Sequence, residues 1–245
     1  MMTLLEFFFE RRPPRFPKSK RLVNNLLLVI ASSFVLRVFF PVLAVGIAEI
    51  SNKSGFGLFA RLSMPVWLEG LITLLLLDCV IYWQHRVFHN VDILWKLHRV
   101  HHTDLDFDST TGVRFHPIEI AISMLVKMVA VFLLAPSMEA VIIFEILLNS
   151  CALFNHSNVK LPLTLDGVLR RFLITPDFHR IHHSIVDKEM NSNFGFSIPL
   201  WDILFRTRIK QPKAGHDEME IGVKGFDEKR SISLPILLMQ PFLND

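Results

Sequence analysis

Cysteine is nearly absent from this chain of 245 residues, and its scarcity excludes two kinds of site. Only Cys79 and Cys151 occur, each inside an apolar run. Two isolated thiols form neither the disulfide framework of a secreted scaffold nor a CxxC metal site, so we interpret both as small packing residues. A strong net charge is also missing, since the formal charge is only +3 and no basic patch is interleaved with aromatic residues. Nucleic acid is therefore not expected as a partner.

A recognisable signal peptide is missing as well. The first residues include Glu6 and Glu10, and no small-residue cleavage site follows them. Six basic residues instead stand immediately before the first long apolar run: Arg11, Arg12, Arg15, Lys18, Lys20 and Arg21. The positive-inside rule places such a segment on the cytoplasmic side of a membrane. We therefore expect residues 1–21 to form a basic, cytoplasmic N-terminal segment.

Long apolar runs are what the sequence has in abundance. Hydrophobic residues make up 51% of the chain and the mean hydropathy is +0.40, both high for a soluble protein. Four runs approach the length of about 20 residues that a helix needs to cross a bilayer. They extend over residues 22–50, 64–83, 118–135 and 138–154. Arg37 and Pro41 interrupt the first run, so we expect its span to end near Arg37 and a kinked or interfacial piece to follow.

The sequence thus predicts an all-α, integral, multi-pass membrane protein with about four transmembrane helices in two hairpins. Residues 22–63 are expected to form the first membrane segment, with a turn over residues 51–63, and residues 64–245 a single membrane domain. Both hairpins return the chain to one side of the membrane. A helical cap on that side, the cytoplasmic side, is expected to hold the functional site.

Histidine is the residue type that points to chemistry. Nine of the eleven histidines fall into the patterns HxxxH, HxxHH, a single histidine in NHSN, and a second HxxHH. They are His85, His89, His98, His101, His102, His156, His179, His182 and His183. Neutral imidazole suits zinc, copper, iron and nickel, and nine ligands are too many for one ion of any ordinary geometry. The pattern predicts a site with two metal ions, whereas His216, alone in a polar tail, is expected on the surface.

Helical geometry explains how these histidines can converge. A helix turns by about 100° per residue, so His85 and His89 share one face. Thirteen residues separate His85 from His98, a rotation of about 220°, so one unbroken helix cannot present both on one face. We expect the helix to break near Asn90, with Asp92 as the N-cap of the next helix.

Three polar residues near the histidines are candidate catalytic residues. Asp78 shares a helical stripe with the HxxxH pair, where it either orients a metal ligand or caps another backbone group. Asn149 shares a stripe with His156 and is expected to approach the metal, directly or through water. His116, in the sequence RFHP, is expected to support a ligand or face the substrate rather than to bind metal.

Two further patterns predict structure rather than chemistry. Lys127 and Glu145 lie nine residues on either side of Pro136, and so at equal depth in an antiparallel hairpin. This spacing predicts a buried ion pair. The segments NFG at 193–195 and WD at 201–202 are expected to form a turn and an interfacial anchor.

HRVFH, HRVHH and HRIHH at these positions resemble the three histidine boxes of the fatty acid hydroxylase/sterol desaturase superfamily of integral-membrane di-iron enzymes. The resemblance covers residues 78–242 and is strongest to its bacterial sterol desaturase, alkylglycerol monooxygenase-like branch. The matching motifs are DCVIYWQHRVFH, LWKLHRVHHT, RFHPIE, NHSNV, TPDFHRIHHS, NSNFG and LWDILF. Arg206, directly after LWDILF, stands where relatives commonly have glycine.

The resemblance implies two iron ions held by the nine histidines, and a lipid substrate that enters from the bilayer. It also implies O₂ as co-substrate and a separate electron donor of the ferredoxin, cytochrome b5 or flavin reductase type. The expected reaction is hydroxylation or desaturation of a sterol, fatty acyl or ether lipid, at a site that faces the cytoplasm.

Two other functions remain as alternatives. A membrane metal transport or metal-storage protein would also need many histidines, but a transport path favours ligands near mid-membrane at broken helices. Here the histidines lie at the ends of the predicted spans, and their spacing is tight. A zinc hydrolase is disfavoured because HRVFH lacks the glutamate that serves as general base in HExxH.

Overall fold

This computed structural model describes residues 2–243, where the regular secondary structure is helical and loops join the helices. No strand forms there beyond two isolated bridges. The α-helices are α1 Met2–Phe8, α2 Lys18–Phe39, α3 Ala44–Ser54, α4 Val66–Asn90, α5 Asp92–His102, α6 Pro117–Leu134, α7 Met138–Asn155, α8 Leu163–Leu169, α9 Pro176–His182, α10 Asp187–Met190, α11 Leu200–Leu204, α12 Gly215–Glu218, α13 Glu228–Ile232 and α14 Leu234–Met239. The all-α prediction is confirmed for these residues.

Within residues 2–243, four helical stretches are long and apolar enough to cross a membrane, as the hydropathy predicts. They are Lys18–Arg61, Val66–Asn90, Pro117–Leu134 and Met138–Asn155. The first is interrupted as expected, because α2 ends at Phe39 and α3 begins only at Ala44. The turn predicted for residues 51–63 was wrong at its start. There, α3 continues to Ser54 and ends on Gly55, whose φ of 66° gives the left-handed conformation that often closes a helix.

The long helices pack around α6 and α7. Helix α6 contacts α2, α3 and α4, and α7 contacts α3 and α4. Their shared core includes Leu77, Ile81, Val131, Val141 and Phe144. Many large apolar side chains also point outward and are exposed, among them Leu125, Val129, Phe132, Leu133, Ile142, Ile143 and Ile146. Helices that are apolar on both their packed and their open faces suit a lipid environment.

The predicted break between the first two histidine motifs is confirmed. Helix α4 ends at Asn90 and α5 begins at Asp92, with Val91 extended between them. The predicted N-cap role of Asp92 was wrong. Val91 occupies the N-cap position and Asp92 is already the first helical residue, where its charge still favours the positive end of the helix dipole.

The N-terminal segment packs against the loops that surround the histidines. The buried Arg21 donates to Asp104 through Nε at 2.8 Å, and to Asp108 through one terminal nitrogen at 2.6 Å. The buried carboxylate of Glu6 accepts the backbone N–H groups of Ser109 and Asn158, at 2.6 and 3.0 Å. These contacts tie α1 and the start of α2 to the segments after α5 and α7.

Candidate metal centre

Nine histidines converge where α4, α5, α7 and α9 meet, and they form two largely buried groups. The five-histidine group comprises His85, His89, His98, His102 and His182. The four-histidine group comprises His101, His156, His179 and His183. Within each group, the nitrogens available as ligands lie within 4.8 Å of one another. The structure thus brings together all nine histidines that the sequence singles out.

Each HxxHH box is shared between the two groups. Its first and last histidines are four residues apart and lie on one helix face, whereas the middle one is rotated by about 100° from the last. The box on α5 gives its outer pair to the five-histidine group and its middle histidine to the other group. The second box, which begins on α9, divides in the opposite way. His85 and His89, in the last two turns of α4, complete the five-histidine group, and His156, the C-cap of α7, completes the four-histidine group.

Ring nitrogens face one another inside each group. The Nε2 atom of His102 lies 3.1 Å from Nε2 of His89 and 3.2 Å from Nε2 of His98. In the four-histidine group, Nε2 of His156 lies 3.1 and 3.0 Å from the Nε2 atoms of two other members. A neutral imidazole carries only one N–H, so these contacts leave lone pairs directed at one another. A cation between the rings of each group would satisfy them.

Three rings of the five-histidine group are oriented by hydrogen bonds from Nδ1. His98 donates to Oε1 of Glu119 on α6, at 2.6 Å. His85 and His182 donate to backbone carbonyls of the loop 192–194, at 2.9 and 2.7 Å. Such bonds fix the tautomer and direct Nε2 toward a metal. The Nε2 atoms of His85 and His182 have no hydrogen-bond partner among the described residues, which fits a ligand role.

The four-histidine group has fewer such bonds. His156 donates from Nδ1 to the carbonyl of Ala152, at 2.8 Å. Within residues 2–243, the Nδ1 atoms of His101, His179 and His183 find no hydrogen-bond partner. Two of these side chains pack against aromatic rings instead, His101 against Phe115 and His183 against Phe107.

Burial favours the neutral form of six of these imidazoles, and the neutral form is the one that binds metal. Burial, with repulsion from His98, lowers the pKa of His182 to about 3. Burial also lowers the pKa of His156 to about 3, although its hydrogen bond to Ala152 acts in the opposite direction. Burial and neighbouring imidazoles hold four further pKa values well below the ordinary one, those of His101, His102, His179 and His183.

The loop that contains the NFG segment, residues 193–195, helps to orient rings of the five-histidine group. Both Phe194 and Gly195 donate their backbone N–H groups to the carboxylate of Asp202, each at 2.8 Å. A Cβ on Gly195 would lie 2.6 Å from an Asp202 oxygen, so this close approach requires glycine. The turn predicted for residues 193–195 does not form, since the segment is an irregular loop. The carbonyl of Phe194 in this loop orients His85, and the carbonyl of Ser192 just before it orients His182. Burial raises the pKa of Asp202 to about 6.

Asp78 lies away from the histidine rings. Its Oδ2 atom accepts a hydrogen bond from Nε1 of Trp201 at 2.9 Å, and its side chain is buried. Of the two roles that the sequence leaves open, the structure places Asp78 in contact with the segment 197–201, not with a metal ligand. Glu119 is a carboxylate that does contact one of the nine clustered histidines, His98. Sequence reasoning missed it, although Glu119 stands in the first turn of an apolar helix inside the motif RFHPIE.

His116 and Asn149 also lie outside both groups. His116 is the N-cap of α6, where Nδ1 accepts the backbone N–H of Ile118 at 3.2 Å and Nε2 donates to the carbonyl of Leu238 at 3.1 Å. Asn149 is exposed and donates to the carbonyl of Glu145, one helical turn earlier, at 2.7 Å. It lines a cavity next to the histidines without contacting them.

Two further expectations have opposite outcomes. The ion pair between Lys127 and Glu145 is confirmed, with 2.7 Å between Nζ and Oε1. The surface position expected for His216 was wrong, because its residue is only 8% exposed. Helix α12 packs against α9, and Nδ1 of His216 lies 3.9 Å from a carboxylate oxygen of Asp177.

A cavity of about 370 Å³ lies beside both histidine groups. Its walls come from α2, α4, α6 and α7, and apolar side chains such as Ile81, Phe88, Ile120, Met124 and Phe196 line most of it. The cavity also contacts two members of each group, namely His85, His98, His101 and His179. A long apolar molecule held between the membrane helices would therefore reach both groups at once.

Comparison with known proteins places these features in a family. The chain is 32% identical over 141 residues to the alkylglycerol monooxygenase of Xenopus tropicalis. The aligned segment covers 57% of this chain and 30% of that protein. It is 27% identical over 178 residues to the ornithine lipid hydroxylase OlsE of Rhizobium tropici, covering 73% of this chain and 51% of that protein. A very-long-chain aldehyde decarbonylase of Oryza sativa subsp. indica is 25% identical over 186 residues.

The chain spans about half or less of the length of these relatives. No solved structure matches it significantly. The sequence model of the fatty acid hydroxylase family matches residues 70–207. This range includes all nine histidines and the NFG segment at 193–195. This chain therefore belongs to the fatty acid hydroxylase family.

Proposed function

We propose that this protein is an O₂-dependent oxidoreductase that hydroxylates or desaturates a membrane lipid at a centre of two iron ions. The division of nine histidines into two groups beside one apolar cavity carries the proposal. The family supports the choice of iron and of a lipid substrate, since the relatives include a lipid hydroxylase and a monooxygenase.

The donor set suits this chemistry. Imidazole nitrogens are suitable ligands for iron, and each histidine group would hold one ion. When bound, a pair of irons supplies the reduction and cleavage of O₂ needed to attack an unactivated C–H bond, which no side chain can do alone. Glu119 would act through His98, by fixing its ring and raising its basicity.

The cavity would position the substrate for this reaction. Its apolar walls would exclude water and hold one carbon of the lipid next to the rings of His85 and His101. Hydroxylation would put one oxygen atom of O₂ on that carbon and release the other as water. Desaturation would release both atoms as water. Either reaction requires two electrons and two protons from outside the lipid, and we propose a separate ferredoxin, cytochrome b5 or flavin reductase as the electron donor.

Iron content and oxygen labelling test the proposal. Purified anaerobically in detergent, the protein should hold about two irons per chain, because nine imidazoles exceed the ligand number of one ion. Lipid extracts from cells with and without the protein, grown under ¹⁸O₂, should differ by one product on mass spectrometry. One labelled oxygen indicates hydroxylation, and an unlabelled alkene indicates desaturation. Full activity without O₂, or with one zinc ion per chain, would contradict the proposal, and metal binding without any product would favour storage or transport.

We also propose that the histidines face the cytoplasm, where reductant is available. Cysteine labelling tests this orientation in a background without Cys79 and Cys151. Glu218→Cys lies on the cap and Ser54→Cys at the far end of α3, and both positions are exposed. In intact cells, an impermeant thiol reagent should label only Ser54→Cys. Labelling of Glu218→Cys before the membrane is breached would reverse the orientation.

A further inference from the structure

The cavity carries a polar stripe of which the proposed oxidation uses only Glu119, at one end. Glu119, Ser123 and Lys127 follow one another along α6 at intervals of four residues, and all three line the cavity. The residues between them are apolar. Positions four apart share one helix face, so the stripe runs along the cavity wall from the histidine end toward the middle of α6.

The stripe ends at an ion pair inside the candidate membrane spans. Nζ of Lys127 lies 2.7 Å from Oε1 of Glu145, and the two side chains are 9% and 26% exposed. Eight residues separate Lys127 from Glu119, so the pair lies about 12 Å along the helix from the histidine end. Ionisable residues within membrane segments are costly, and those that persist tend to serve a function.

Gln84 adds an unused acceptor to the same wall. Its Nε2 atom donates to Oγ of Ser123 at 2.8 Å. Its Oε1 atom is buried and has no hydrogen-bond partner among the described residues. A buried acceptor left in this way costs free energy unless a ligand or a water molecule donates to it. The cavity therefore offers hydrogen-bonding groups along the wall between the histidines and Lys127.

We propose that Lys127 and Glu145, with Ser123 and Gln84 beside them, form a subsite for an uncharged hydrogen-bonding group of the substrate. This inference rests on the proposed lipid oxidation. Because the two charges cancel, the subsite favours a group that is neutral and both donates and accepts, such as a hydroxyl or a carboxamide. The substrate class is a lipid with such a group about 12 Å from the carbon that faces the histidines.

The position of the subsite argues against a proton path. In the proposed orientation, protons reach the histidines from the cytoplasm. The ion pair lies at the opposite end of the cavity, toward the middle of the membrane helices. A purely structural ion pair is the remaining alternative, and a binding experiment separates it from a substrate subsite.

The experiment measures equilibrium binding of radiolabelled hexadecan-1-ol, hexadecanamide, hexadecanoate and hexadecane. The iron-loaded protein is held anaerobically in nanodiscs, and empty nanodiscs correct for partition into lipid. The alcohol and the amide should bind about tenfold or more tightly than the alkane, the effect of one hydrogen bond to a charged group. Hexadecanoate should not share this advantage. Equal binding of the alcohol and the alkane would overturn the proposal.

Variants locate the preference. Lys127→Met combined with Glu145→Leu removes both charges, so no unpaired charge remains buried, and should abolish the preference for the alcohol while iron content stays unchanged. The matched control is Lys53→Met with Glu49→Leu, which removes an exposed ion pair on α3 and should change nothing. An undiminished preference in the first double variant would leave the ion pair with a structural role only.

A charge change gives a second readout if the double variant fails to fold. Glu145→Gln keeps an acceptor for Lys127 but leaves the subsite positive, so hexadecanoate should now bind better than hexadecan-1-ol. Unchanged selectivity in this variant would also contradict the subsite. Failure of the proposed oxidation would be visible separately, as missing iron or as turnover that does not need O₂, while the binding preference could still be present.

Discussion

The two histidine groups differ in ligand number and in how their rings are held. In the five-histidine group, three rings are fixed by hydrogen bonds from Nδ1, to Glu119 and to two carbonyls of the loop 192–194. In the four-histidine group, His156 alone has such a bond among the described residues. A ligand whose ring is fixed loses less freedom when it binds metal. We therefore expect the five-histidine group to bind its ion more tightly.

Aromatic side chains restrain two rings of the four-histidine group that lack such hydrogen bonds. His101 stacks on Phe115, with ring centroids 4.5 Å apart and planes inclined by 12°. Phe107 packs against His183 with 4.9 Å between centroids. Stacking restrains a ring but does not select its tautomer. With one ligand fewer, this group also leaves more room for an exogenous ligand, so we expect it to be the more exchangeable position.

The strongest test removes one ligand from each group. His182→Ala and His101→Ala should each abolish turnover and lose about one iron per chain, but from different positions. Iron analysis with Mössbauer spectroscopy would show whether the remaining iron differs between the two variants. His216→Ala is the control, because His216 is buried but belongs to neither group. If both variants lost both irons, the groups would behave as one unit and the comparison would fail.

Acidification tests the lowered pKa values that histidines of both groups share. Burial lowers the pKa of His182 in one group and of His156 in the other to about 3. The ordinary value is about 6.5, so between about pH 6.5 and 3 the unfolded chain binds more protons than the native one. Stability is therefore complete above pH 6.5 and is lost as the pH falls.

Thermal unfolding of the metal-free protein in detergent should show this loss. Between pH 7 and pH 5, each such histidine should remove about 1–2 kcal/mol from the free energy of unfolding. The iron-loaded protein should retain more stability at pH 5.5, because the bound metal competes with protons for the same nitrogens. A melting temperature that does not change with pH in the metal-free protein would show that the histidines are not buried as neutral groups.

Glu119→Gln tests the hydrogen bonds that distinguish the groups. The neutral amide is a weaker acceptor for Nδ1 of His98, so metal affinity or activity should fall by about 10–100-fold. Asp78→Asn is the matched control, since Asp78 contacts Trp201 and an amide oxygen can still accept that bond. Metal competition titrations would measure both. An effect of Asp78→Asn as large as that of Glu119→Gln would restore Asp78 as a residue that acts on the metal centre.

The sequence predicted features that depend on local geometry. Helical spacing was sufficient to select eight of the nine histidines, all but the isolated His156. It also placed the break between His85 and His98, and it paired Lys127 with Glu145 by counting from Pro136. Each of these requires only the rise and rotation of a helix. Hydropathy was similarly sufficient for the four long apolar stretches.

Contacts between distant segments could not be predicted in this way. A backbone carbonyl has no sequence signature, so the bond from His85 to a carbonyl 109 residues later leaves no pattern to read. Glu119 reaches His98 across an irregular loop, and the register of α6 against α5 decides that contact. His216 is buried because α12 packs on α9 beside Asp177, not because its own neighbours are apolar.

A substitution at Arg206 should have the smallest effect of those considered. It tests the backbone next to the loop that orients two rings of the five-histidine group. Its φ of 57° is the left-handed conformation, which costs a residue with a side chain about 1–2 kcal/mol. Glycine adopts this conformation without that cost. The neighbouring Thr207 donates a hydrogen bond from its hydroxyl to Asp202. Asp202 in turn accepts the backbone N–H of Phe194, in the loop whose carbonyls orient the rings of His85 and His182.

Arg206→Gly should therefore raise the free energy of unfolding by up to about 1 kcal/mol, the relief of strain being partly offset by the extra freedom of glycine in the unfolded chain. Arg171→Gly is the control, because Arg171 is also exposed but does not have a positive φ. It should be neutral or slightly destabilising. Thermal unfolding with and without iron would measure both variants. If Arg206→Gly destabilised the protein and weakened iron binding, the arginine side chain would have a role in supporting the five-histidine group that its exposed position does not predict.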